Sequence, residues 1–443
     1  MPLLDALLTI AADHHPDKLT RFRENIPVEW VQQALEATGT ATLRKRRLPA
    51  EQVVWLVIGM ALYRDRPIED VVRSLDLLLD PARGPLARSA APQARAKLGE
   101  EPLQRLFEFT ADAWSGESAE AYRWRGLTVY GIDGTTLRVA DSAENRREFG
   151  SASARDDGIS GYPLVRVAAL MVLRSHLLAA VSFGPYHDSE MKHAERIVRD
   201  VPDNVVMLVD RGFLSAAFLL GIERAGTNRH WLTRTKSTTK YTVLQTLGPG
   251  DELVELQVSS AARAKDPTLP KVMRARAVAY QRAGHKPQML LTSLTDHRKY
   301  PAAALALLYH ERWELELGYG EVKTDMLSIA ECIRSKSPEM VRQELWGIFI
   351  AYNLVRLEMD RVARELRLEP TKLSFLMSLR LIRDEFMLSS YASPGAIPRH
   401  LVDLRANLAS LVLPPRRRDR VYPRAVKIKM SKFPRKRPAK SPK

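Results

Sequence analysis

The sequence predicts an α/β protein in which an all-helical N-terminal region precedes a mixed-sheet core. Apolar residues recur at helical spacing up to about residue 115. From Leu127 onward the pattern changes to short runs typical of strands, with elements in the order β-β-β-α-β-α-β-α. A β-rich insertion at 236–297 precedes the last helix of this core. We therefore expect a helical domain at 1–120, a mixed-sheet domain at 121–360, a helical region at 361–412 and a basic tail at 413–443.

The N-terminal region contains a short basic helix among amphipathic ones. The amphipathic helices with regular apolar spacing are Leu3–Asp13, Val28–Thr38, Ala50–Tyr63, Ile68–Leu79 and Leu103–Trp114. The short helix Ser89–Leu98 has Ser89 as its N-cap and Gly99 just past its end. Its outward positions are polar or basic, namely Gln93, Arg95 and Lys97. This arrangement resembles a helix-turn-helix that reads a DNA major groove. A packing helix without DNA contact is the alternative.

Two aspartates stand at the predicted ends of core strands. The predicted strands are Leu127–Asp133, Leu164–Leu173, Leu177–Phe183, Asn204–Asp210 and His230–Arg234, with helices at Ser189–Asp200 and Ser215–Arg224. This order resembles the ribonuclease-H-like fold, in which the first strand lies centrally and the fourth lies beside it. Asp133 and Asp210 are therefore expected to lie close together, although 77 positions separate them.

The insertion before the last core helix is predicted to be a β ribbon with basic residues. Its predicted strands are Tyr241–Leu247, Glu252–Ser259, Val272–Tyr280 and Gln288–Leu294. Its basic side chains are Arg263, Lys265, Lys271, Arg274 and Arg276. A DNA-facing surface is one interpretation of this ribbon, and an ordinary solvated surface is the other.

Four chemically versatile side chains follow one another at helical spacing after residue 302. At about 100° per residue, Tyr309, Arg312, Glu316 and Lys323 fall within an arc of about 60° around one helix axis. Each can bind a phosphate or a metal ion, whereas a helix that only stays soluble scatters its charges over a wide face. The next helix, Met340–Leu366, has an apolar side expected to pack against the sheet.

Asp133, Asp210 and Glu316 together suggest a metal centre. Taken singly, each is an ordinary turn or helix residue. Two strand-end aspartates and one helical glutamate provide only oxygen ligands, which suit Mg²⁺ or Mn²⁺ rather than zinc. Two such ions roughly 4 Å apart stabilise the attacking and leaving oxygens of an in-line phosphoryl displacement.

The spacing Tyr309-x₂-Arg312-x₃-Glu316-x₆-Lys323 resembles the Tyr–Arg–Glu–Lys signature of bacterial DDE transposases of the insertion-sequence-four family. Ile-Asp133-Gly-Thr and Val-Asp210-Arg-Gly-Phe match the segments around the first two catalytic aspartates of that family. The resemblance extends over about residues 40 to 360. It includes the helical N-terminal domain, the β-rich insertion and the segments Arg334–Glu339 and Arg342–Trp346.

The resemblance implies cut-and-paste DNA transposition. Asp133, Asp210 and Glu316 are then the catalytic residues and ligate two divalent ions, Mg²⁺ or Mn²⁺. Water attacks the DNA at the element's end, and the freed 3′-OH attacks a second phosphodiester. Tyr309, Arg312 and Lys323 hold phosphates near the transposon terminus. Some family members stack a flipped terminal base on a tryptophan, for which Trp313 and Trp231 are candidates here. A position in the apolar core is the alternative for both.

The same resemblance implies that the protein binds terminal inverted repeats and target DNA, and that a homodimer bridges two ends. Two alternatives stay open at the level of sequence. One is a DNA-binding protein descended from a transposase that no longer cleaves. The other is a different DNA nuclease on the same ribonuclease-H-like fold.

Charge is concentrated at the C-terminal end. From Leu413 to Lys443 there are thirteen Lys or Arg residues and one Asp, whereas the other 412 residues carry 55 basic and 51 acidic groups. The net charge of +16 is therefore mostly a property of this tail. We expect the tail to be disordered and to bind a polyanion. A solvated end without a specific partner is the alternative.

Cysteine content and hydropathy indicate where in the cell the protein is expected. Cys332 is the only cysteine, which excludes an intramolecular disulfide and fits a reducing compartment. The longest apolar run, Val53 to Tyr63, is too short to span a bilayer. The N-terminus lacks the positive start of a secretory signal. The cytoplasm, in association with the nucleoid through DNA, is the expected location, and no membrane contact is expected.

Overall fold

The computed structural model describes most of the chain in two compact units. The described residues are 25–41, 48–75, 77, 87–152, 161–236, 238–281, 287–327, 332–388, 403 and 405–414. The predicted helix Leu3–Asp13 and nearly all of the basic tail lie outside them. Among described residues, the first unit contains those up to Thr110, Val139–Asn145 and those from Glu321 onward. The second contains Ala111–Arg138 and Arg146–Gly320. The domain limits expected at residues 120 and 360 stay a prediction.

The helices form at most of the predicted places. In chain order they are α1 Val28–Ala37, α2 Ala50–Leu62, α3 Ile68–Ser74, α4 Ala90–Leu98, α5 Glu101–Ala121, α6 Ala143–Phe149, α7 Glu190–Ile197, α8 Ala216–Arg224, α9 Ser260–Lys265, α10 Ala302–His310, α11 Trp313–Gly320, α12 Pro338–Glu365 and α13 Phe375–Leu388. A π helix, Glu321–Met326, follows α11 directly. No helix among the described residues is long and apolar enough to cross a membrane.

The strands also follow the predicted order. They are β1 Thr128–Val139, β2 Leu164–Val172, β3 Leu178–Pro185, β4 Val205–Val209, β5 Arg229–Arg234, β6 Thr242–Gly248, β7 Asp251–Gln257, β8 Val272–Tyr280, β9 Gln288–Thr292 and β10 Cys332–Ile333. In the second unit their order across the sheet is β3-β2-β1-β4-β5-β9-β8-β7-β6. β1 pairs antiparallel with β2 and parallel with β4. The predicted ribonuclease-H-like core, with the first strand central and the fourth beside it, is therefore confirmed.

The β-rich insertion extends the same sheet. Its strands β6 to β9 lie within residues 236–297 as predicted, and β9 pairs antiparallel with β5, the last core strand. Arg276 on β8 is completely buried, and two of its guanidinium nitrogens each lie 2.6 Å from an oxygen of Asp251. The interpretation of Arg276 as part of a DNA-facing surface is therefore wrong, because its charge is neutralised inside the unit.

The sheet core is apolar around the two central parallel strands. All five residues of β4 are buried, as expected of a strand covered on both faces. Helices α7 and α8 contribute Ile197 and Phe218 to the same apolar cluster. Trp231 on β5 belongs to this cluster and donates its Nε1–H to Glu223 Oε1 at 2.5 Å. This burial removes Trp231 from the candidates for stacking a flipped base.

In the first unit, α12 is the central helix. It is buried along nearly its whole length, and α2 packs against it. A Cβ at Gly347 would lie 2.7 Å from Val57 Cγ1 and 3.0 Å from the Val57 carbonyl oxygen, so glycine permits this close approach. The prediction that this helix packs mainly with one apolar side against the sheet is wrong, because its main contact is with α2. The buried residues of α12 include polar and charged ones such as Gln343, Glu344 and Arg356, so the helix is covered on several sides and not along one apolar side only.

Two carboxylates, the buried Glu344 and the partly buried Glu321, connect α12 to other segments of the first unit. Glu344 accepts from Arg64 Nη1 at 2.6 Å and from the backbone N–H groups of Arg334 at 3.1 Å and Ser335 at 3.0 Å. Glu321, the first residue of the π helix, accepts from the Tyr352 hydroxyl at 2.8 Å and from Arg356 Nε at 3.0 Å. Buried charges of this kind need such partners, because an unpaired one is costly.

Candidate active site

The sheet places Asp133 and Asp210 next to each other. The parallel pairing of β1 with β4 ends at Ile132 opposite Val209, so the next residues along the two strands are Asp133 and Asp210. The expectation that β1 ends at Asp133 is wrong, since its antiparallel pairing with β2 continues to Arg138. Only the parallel pairing of β1 with β4 ends at this point. The predicted proximity of the two aspartates follows from this register.

Asp133 is a partly buried carboxyl in an acidic neighbourhood. Its Oδ1 accepts from the Gly134 N–H at 2.8 Å. Burial raises the pKa of Asp133 to about 6, and the Glu190 and Asp210 carboxylates act in the same direction. The Gly134 N–H and Arg312 lower that pKa, but less strongly. The charged form of Asp133 is therefore disfavoured here despite Arg312, and a bound cation would favour it.

The glycine after Asp133 makes room for a further carboxylate. Gly134 lies within β1, and a Cβ on it would be 2.5 Å from Glu190 Cγ. Glu190 is in the first turn of α7 and forms a 2.8 Å ion pair with Arg166 Nη1. Glu190 could not be predicted from the sequence, because no motif signals it. It approaches Asp133 only because α7 follows the strand meander back across the sheet.

The segment that carries the four-residue signature is not one continuous helix. α10 ends at His310, and the next turn is tight, with Arg312 N–H bonded to Tyr309 O and Leu315 N–H to Arg312 O. The helix resumes at Trp313 and changes to a π helix at Glu321. The uniform 100° wheel is therefore wrong, because three-residue turns and π turns advance by different angles.

Arg312 is the point at which the predicted acidic residues meet. Its Nη1 lies 3.7 Å from Asp133 Oδ2, and its Nη2 lies 3.1 Å from Glu316 Oε1. Burial lowers the pKa of Arg312, but Tyr309, Glu316, Asp210 and Asp133 outweigh this effect and raise it. The guanidinium thus interacts with all three candidate catalytic carboxylates at once.

The opposite side of this turn is held by the β2–β3 connection. Arg174 Nε and Nη2 donate to the two oxygens of Glu311, each at 2.8 Å. His176 Nε2 lies 3.0 Å from Glu314 Oε2. The side chains of this segment therefore alternate around the turn: Glu311 and Glu314 bind the strand connection, and Arg312 and Glu316 face Asp133. No sequence motif predicts this role for Arg174 or His176.

The remaining signature residues lie in different environments. Tyr309 is only 7% exposed, and its hydroxyl is 3.5 Å from the Val209 carbonyl oxygen, beside Asp210. Burial raises the pKa of Tyr309 to about 12, so it stays a neutral hydroxyl. Lys323 is half-buried in the π helix, which belongs to the first unit. Trp313, by contrast, is 48% exposed and remains available as a stacking surface.

The three carboxylates have the right chemistry for a divalent cation but are not yet gathered around one point. Among the described residues, no group of three His, Cys, Asp or Glu side chains is arranged to hold a metal ion. The Arg312 guanidinium stands between Asp133 and Glu316 instead. These carboxylates provide only oxygen donors, which suit Mg²⁺ or Mn²⁺. They could bind such an ion once the Arg312 guanidinium moves away.

The basic helix predicted to read DNA is only partly exposed. Gln93 and Lys97 are exposed on α4, as expected. Arg95 is 5% exposed, and its Nε donates to Gln343 Oε1 at 2.8 Å, so its predicted outward position is wrong. Ala91, Arg95 and Leu98 are spaced at i, i+4 and i+7, so all three lie on the buried side of α4. DNA contact by Gln93 and Lys97 stays a prediction.

Two family models match this chain. One, described as insertion element 4 transposase N-terminal, matches residues 16–108. The other, described as transposase DDE domain, matches residues 124–354. The second match spans the segment from the start of the sheet to the middle of α12, and it includes Asp133, Asp210 and Glu316.

Relatives with assigned names are similar over most or half of the chain. "Transposase InsG for insertion sequence element IS4" of Escherichia coli (strain K12) is 40% identical over 417 residues, which are 94% of this chain and 93% of that protein. "Putative transposase InsZ" of the same organism is 40% identical over 237 residues, or 52% of this chain and 77% of that protein. A cryo-EM structure of a piggyBac transposase synaptic complex with hairpin DNA aligns with a TM-score of 0.42 at 11% identity, covering 90% of this chain and 86% of that one.

Proposed function

The chain belongs to the insertion element 4 family of DDE transposases, and on this premise we propose that Asp133, Asp210 and Glu316 are its catalytic carboxylates. One observation carries the proposal: the partly buried Arg312 guanidinium lies 3.7 Å from Asp133 and 3.1 Å from Glu316, and the register of β1 and β4 sets Asp210 beside Asp133. Carboxylates from two adjacent strands and one helix thus share Arg312 as their counter-charge. If that guanidinium moves away, they need another cation in its place.

Two divalent ions, Mg²⁺ or Mn²⁺, would be held by Asp133, Asp210 and Glu316, and would supply charge stabilisation to an in-line phosphodiester displacement. The chain's own part is to hold these carboxylates in place. The register of β1 and β4 sets the two aspartates side by side. The clamp of Glu311 and Glu314 by Arg174 and His176 orients the turn that carries Arg312 and Glu316.

Arg312 is proposed to exchange its carboxylate partners for DNA phosphate. A guanidinium binds a phosphate in a bidentate manner, and its charge is retained at any working pH. In moving to the DNA it would release Asp133 and Glu316 for the ions. Lys323 and Tyr309 are proposed as further phosphate contacts. For Tyr309 this requires a rearrangement, because its hydroxyl is directed to the Val209 carbonyl.

The proposed substrates are the terminal inverted repeats of the protein's own element and a target DNA. Strand cleavage at the ends and transfer to the target constitute cut-and-paste transposition. A homodimer that bridges the two ends is proposed because both must be cut and joined together. Cytoplasmic, nucleoid-associated location accompanies this function.

The direct test uses the purified protein and a duplex that ends in the inverted repeat of its element. With Mg²⁺ we expect nicking at the element boundary and, with an added target, strand-transfer products. A scrambled repeat of the same length is the control. Binding of the repeat without cleavage in either Mg²⁺ or Mn²⁺ would contradict catalysis and leave a DNA-binding protein. Equal cleavage of the scrambled duplex would indicate a nuclease without end specificity.

Gly320→Ala tests whether DNA passes close to the end of α11. A Cβ at this position would meet no atom of the described residues within 4 Å, and alanine favours a helix by about 1 kcal/mol. The variant should therefore be at least as stable as the wild type. If a DNA strand approaches this backbone, affinity for the end duplex should fall by about tenfold, or 1.4 kcal/mol.

The matched control is Gly116→Ala on α5, where a new Cβ likewise meets nothing within 4 Å. It should leave DNA affinity unchanged. Fluorescence anisotropy with a labelled end duplex, at one fixed salt concentration, measures both variants. Wild-type affinity in Gly320→Ala would refute close passage of DNA at this point.

A further inference from the structure

A buried tyrosine outside the four-residue signature contacts the backbone of Asp133. The Tyr319 hydroxyl donates to the Asp133 carbonyl oxygen at 2.6 Å and accepts from the Ala169 N–H at 3.1 Å. Asp133 and Ala169 are directly opposite each other in the β1–β2 ladder. One side-chain hydroxyl thus connects both strands at the residue proposed to bind the metal ions.

The same helix carries Glu316, three residues earlier. Positions i and i+3 lie on neighbouring parts of a helix surface, so Tyr319 reaches the sheet close to where Glu316 leaves the helix. Leu315 supports this contact, since a Cβ at Gly131 would lie 2.8 Å from Leu315 Cδ1. Helix α11 is therefore held against β1 by an apolar contact on one side of Asp133 and a hydroxyl bridge at Asp133 itself.

The hydroxyl is a fixed, neutral donor. Tyr319 is 9% exposed, and burial, with the Asp133 charge, raises its pKa well above the usual value. Its donor and acceptor contacts are both to backbone, which cannot turn away as a flexible side chain can. These hydrogen bonds fix the position of α11 relative to β1, because a shift of α11 along β1 would break them.

We propose that Tyr319 is a positioning residue that sets the distance between Asp133 and Glu316. This inference rests on the proposed function, because it concerns the same carboxylates. Tyr319 does not contact substrate or ions. Its hydroxyl fixes the helix that presents Glu316 to the strand that presents Asp133, and without it the two carboxylates are held less closely to the arrangement that two ions need.

The test compares Tyr319→Phe with the wild type in single-turnover cleavage of the end duplex over a range of Mg²⁺ concentrations. Phenylalanine keeps the ring and removes only the hydroxyl. Loss of a residue that orients metal ligands typically costs 10–100-fold in metal affinity or activity. We therefore expect the Mg²⁺ concentration for half-maximal rate to rise by at least about tenfold. Binding of the end duplex without metal should stay within about twofold, a difference too small to indicate a lost contact.

The control is Tyr130→Phe, which removes a buried hydroxyl from β1, the strand that carries Asp133. Tyr130 is 2% exposed, and its side chain is hydrogen-bonded to Ser115 rather than to the site. It should lower thermal stability to a similar degree and leave the Mg²⁺ dependence unchanged.

Two results would overturn the inference while leaving the proposed function intact. One is an Mg²⁺ dependence of Tyr319→Phe equal to that of the wild type. The other is an equal rise in Tyr130→Phe, which would indicate a general effect of loosening the core. A wild-type protein that does not cleave would instead refute the proposed function, and this inference with it. Electron paramagnetic resonance of free Mn²⁺ gives a second readout of ion affinity without any cleavage.

Discussion

Asp133→Asn is expected to abolish DNA cleavage while the protein still folds and binds its end duplex. Asparagine keeps the shape of the side chain and can still accept from the Gly134 N–H. It removes the negative charge that the proposed ions require. The rate should fall by on the order of 10³-fold or more, the scale seen when one member of a catalytic group is lost. Burial already disfavours the charged form of Asp133, as its raised pKa indicates, so the neutral residue should not destabilise the fold.

The matched control is Asp203→Asn, which makes the same change near the opposite end of β4. Asp203 is exposed and pairs with Arg229 at 3.0 Å. It should leave the cleavage rate unchanged, because it is remote along the strand from Asp210. Single-turnover cleavage in Mg²⁺ and anisotropy binding without metal measure both variants. Cleavage by Asp133→Asn within about tenfold of the wild-type rate would contradict a catalytic role.

Glu344→Ala is expected to cost more stability than any other single change considered for the first unit. Glu344 is 2% exposed and neutralises Arg64, which is itself buried. Removing one partner of a buried pair costs about 3–5 kcal/mol, because the other charge stays buried and unpaired. The backbone N–H groups of Arg334 and Ser335 lose their acceptor as well.

The pH dependence of stability should change in the same variant. Burial raises the pKa of Glu344, but Arg64 and the donors from Ser335 and Arg334 outweigh burial and lower it. A carboxyl with a lowered folded pKa stabilises the protein above its unfolded pKa, and this contribution disappears as the pH falls through the folded value. The difference between wild type and Glu344→Ala should therefore be full at neutral pH and shrink in acid.

Guanidinium chloride unfolding of the variant and of two controls measures this effect. Glu339→Ala removes an exposed carboxylate from the first turn of the same helix and should cost at most about 1 kcal/mol. The double variant Arg64→Met with Glu344→Leu removes both buried charges and should recover much of the loss. A Glu344→Ala protein as stable as Glu339→Ala would contradict the role assigned to the buried pair.

Much of the fold could be predicted because local pattern and topology agree. Apolar periodicity locates most of the described helices, though not the short α6 and α9, and the strand order places Asp133 beside Asp210. That placement needs only one rule: in this topology the first and fourth strands are neighbours and parallel. The β-rich insertion was predicted as well, but not its addition to the edge of the core sheet at β5, since pairing partners of edge strands leave no local signal.

Several side chains could not be predicted because their partners are distant in sequence. Arg95 and Arg276 are charged, and charge ordinarily indicates exposure. Their buried positions depend on Gln343 and on Asp251, which neutralise or satisfy them. For Arg95 the sequence does contain a signal of burial, because Arg95 lies between Ala91 and Leu98 on one side of the helix. Tyr319 had none, because its hydroxyl binds backbone of strands that precede it by 150 residues or more.

The break in the signature helix has a similar explanation. The uniform wheel assumed one regular helix from Tyr309 to Lys323. Tight turns at Glu311 and Arg312 and the π helix at Glu321 depart from it, and each is stabilised by contacts made elsewhere. Glu311 binds Arg174, and Glu321 binds Tyr352 and Arg356. Arg312 and Glu316 nonetheless remain on one side, because four residues still bring two side chains together on a helix.

The central claim is that Asp133, Asp210 and Glu316 form one divalent-metal centre, and a crystal structure of the protein with its end duplex and Mn²⁺ tests it most directly. The anomalous scattering of Mn²⁺ identifies the ions independently of the protein coordinates. We expect two peaks about 3.5–4 Å apart that contact these three carboxylates, with the Arg312 guanidinium moved from them to a DNA phosphate. Mn²⁺ peaks bound by other residues, or none beside Asp133 with DNA in place, would contradict it.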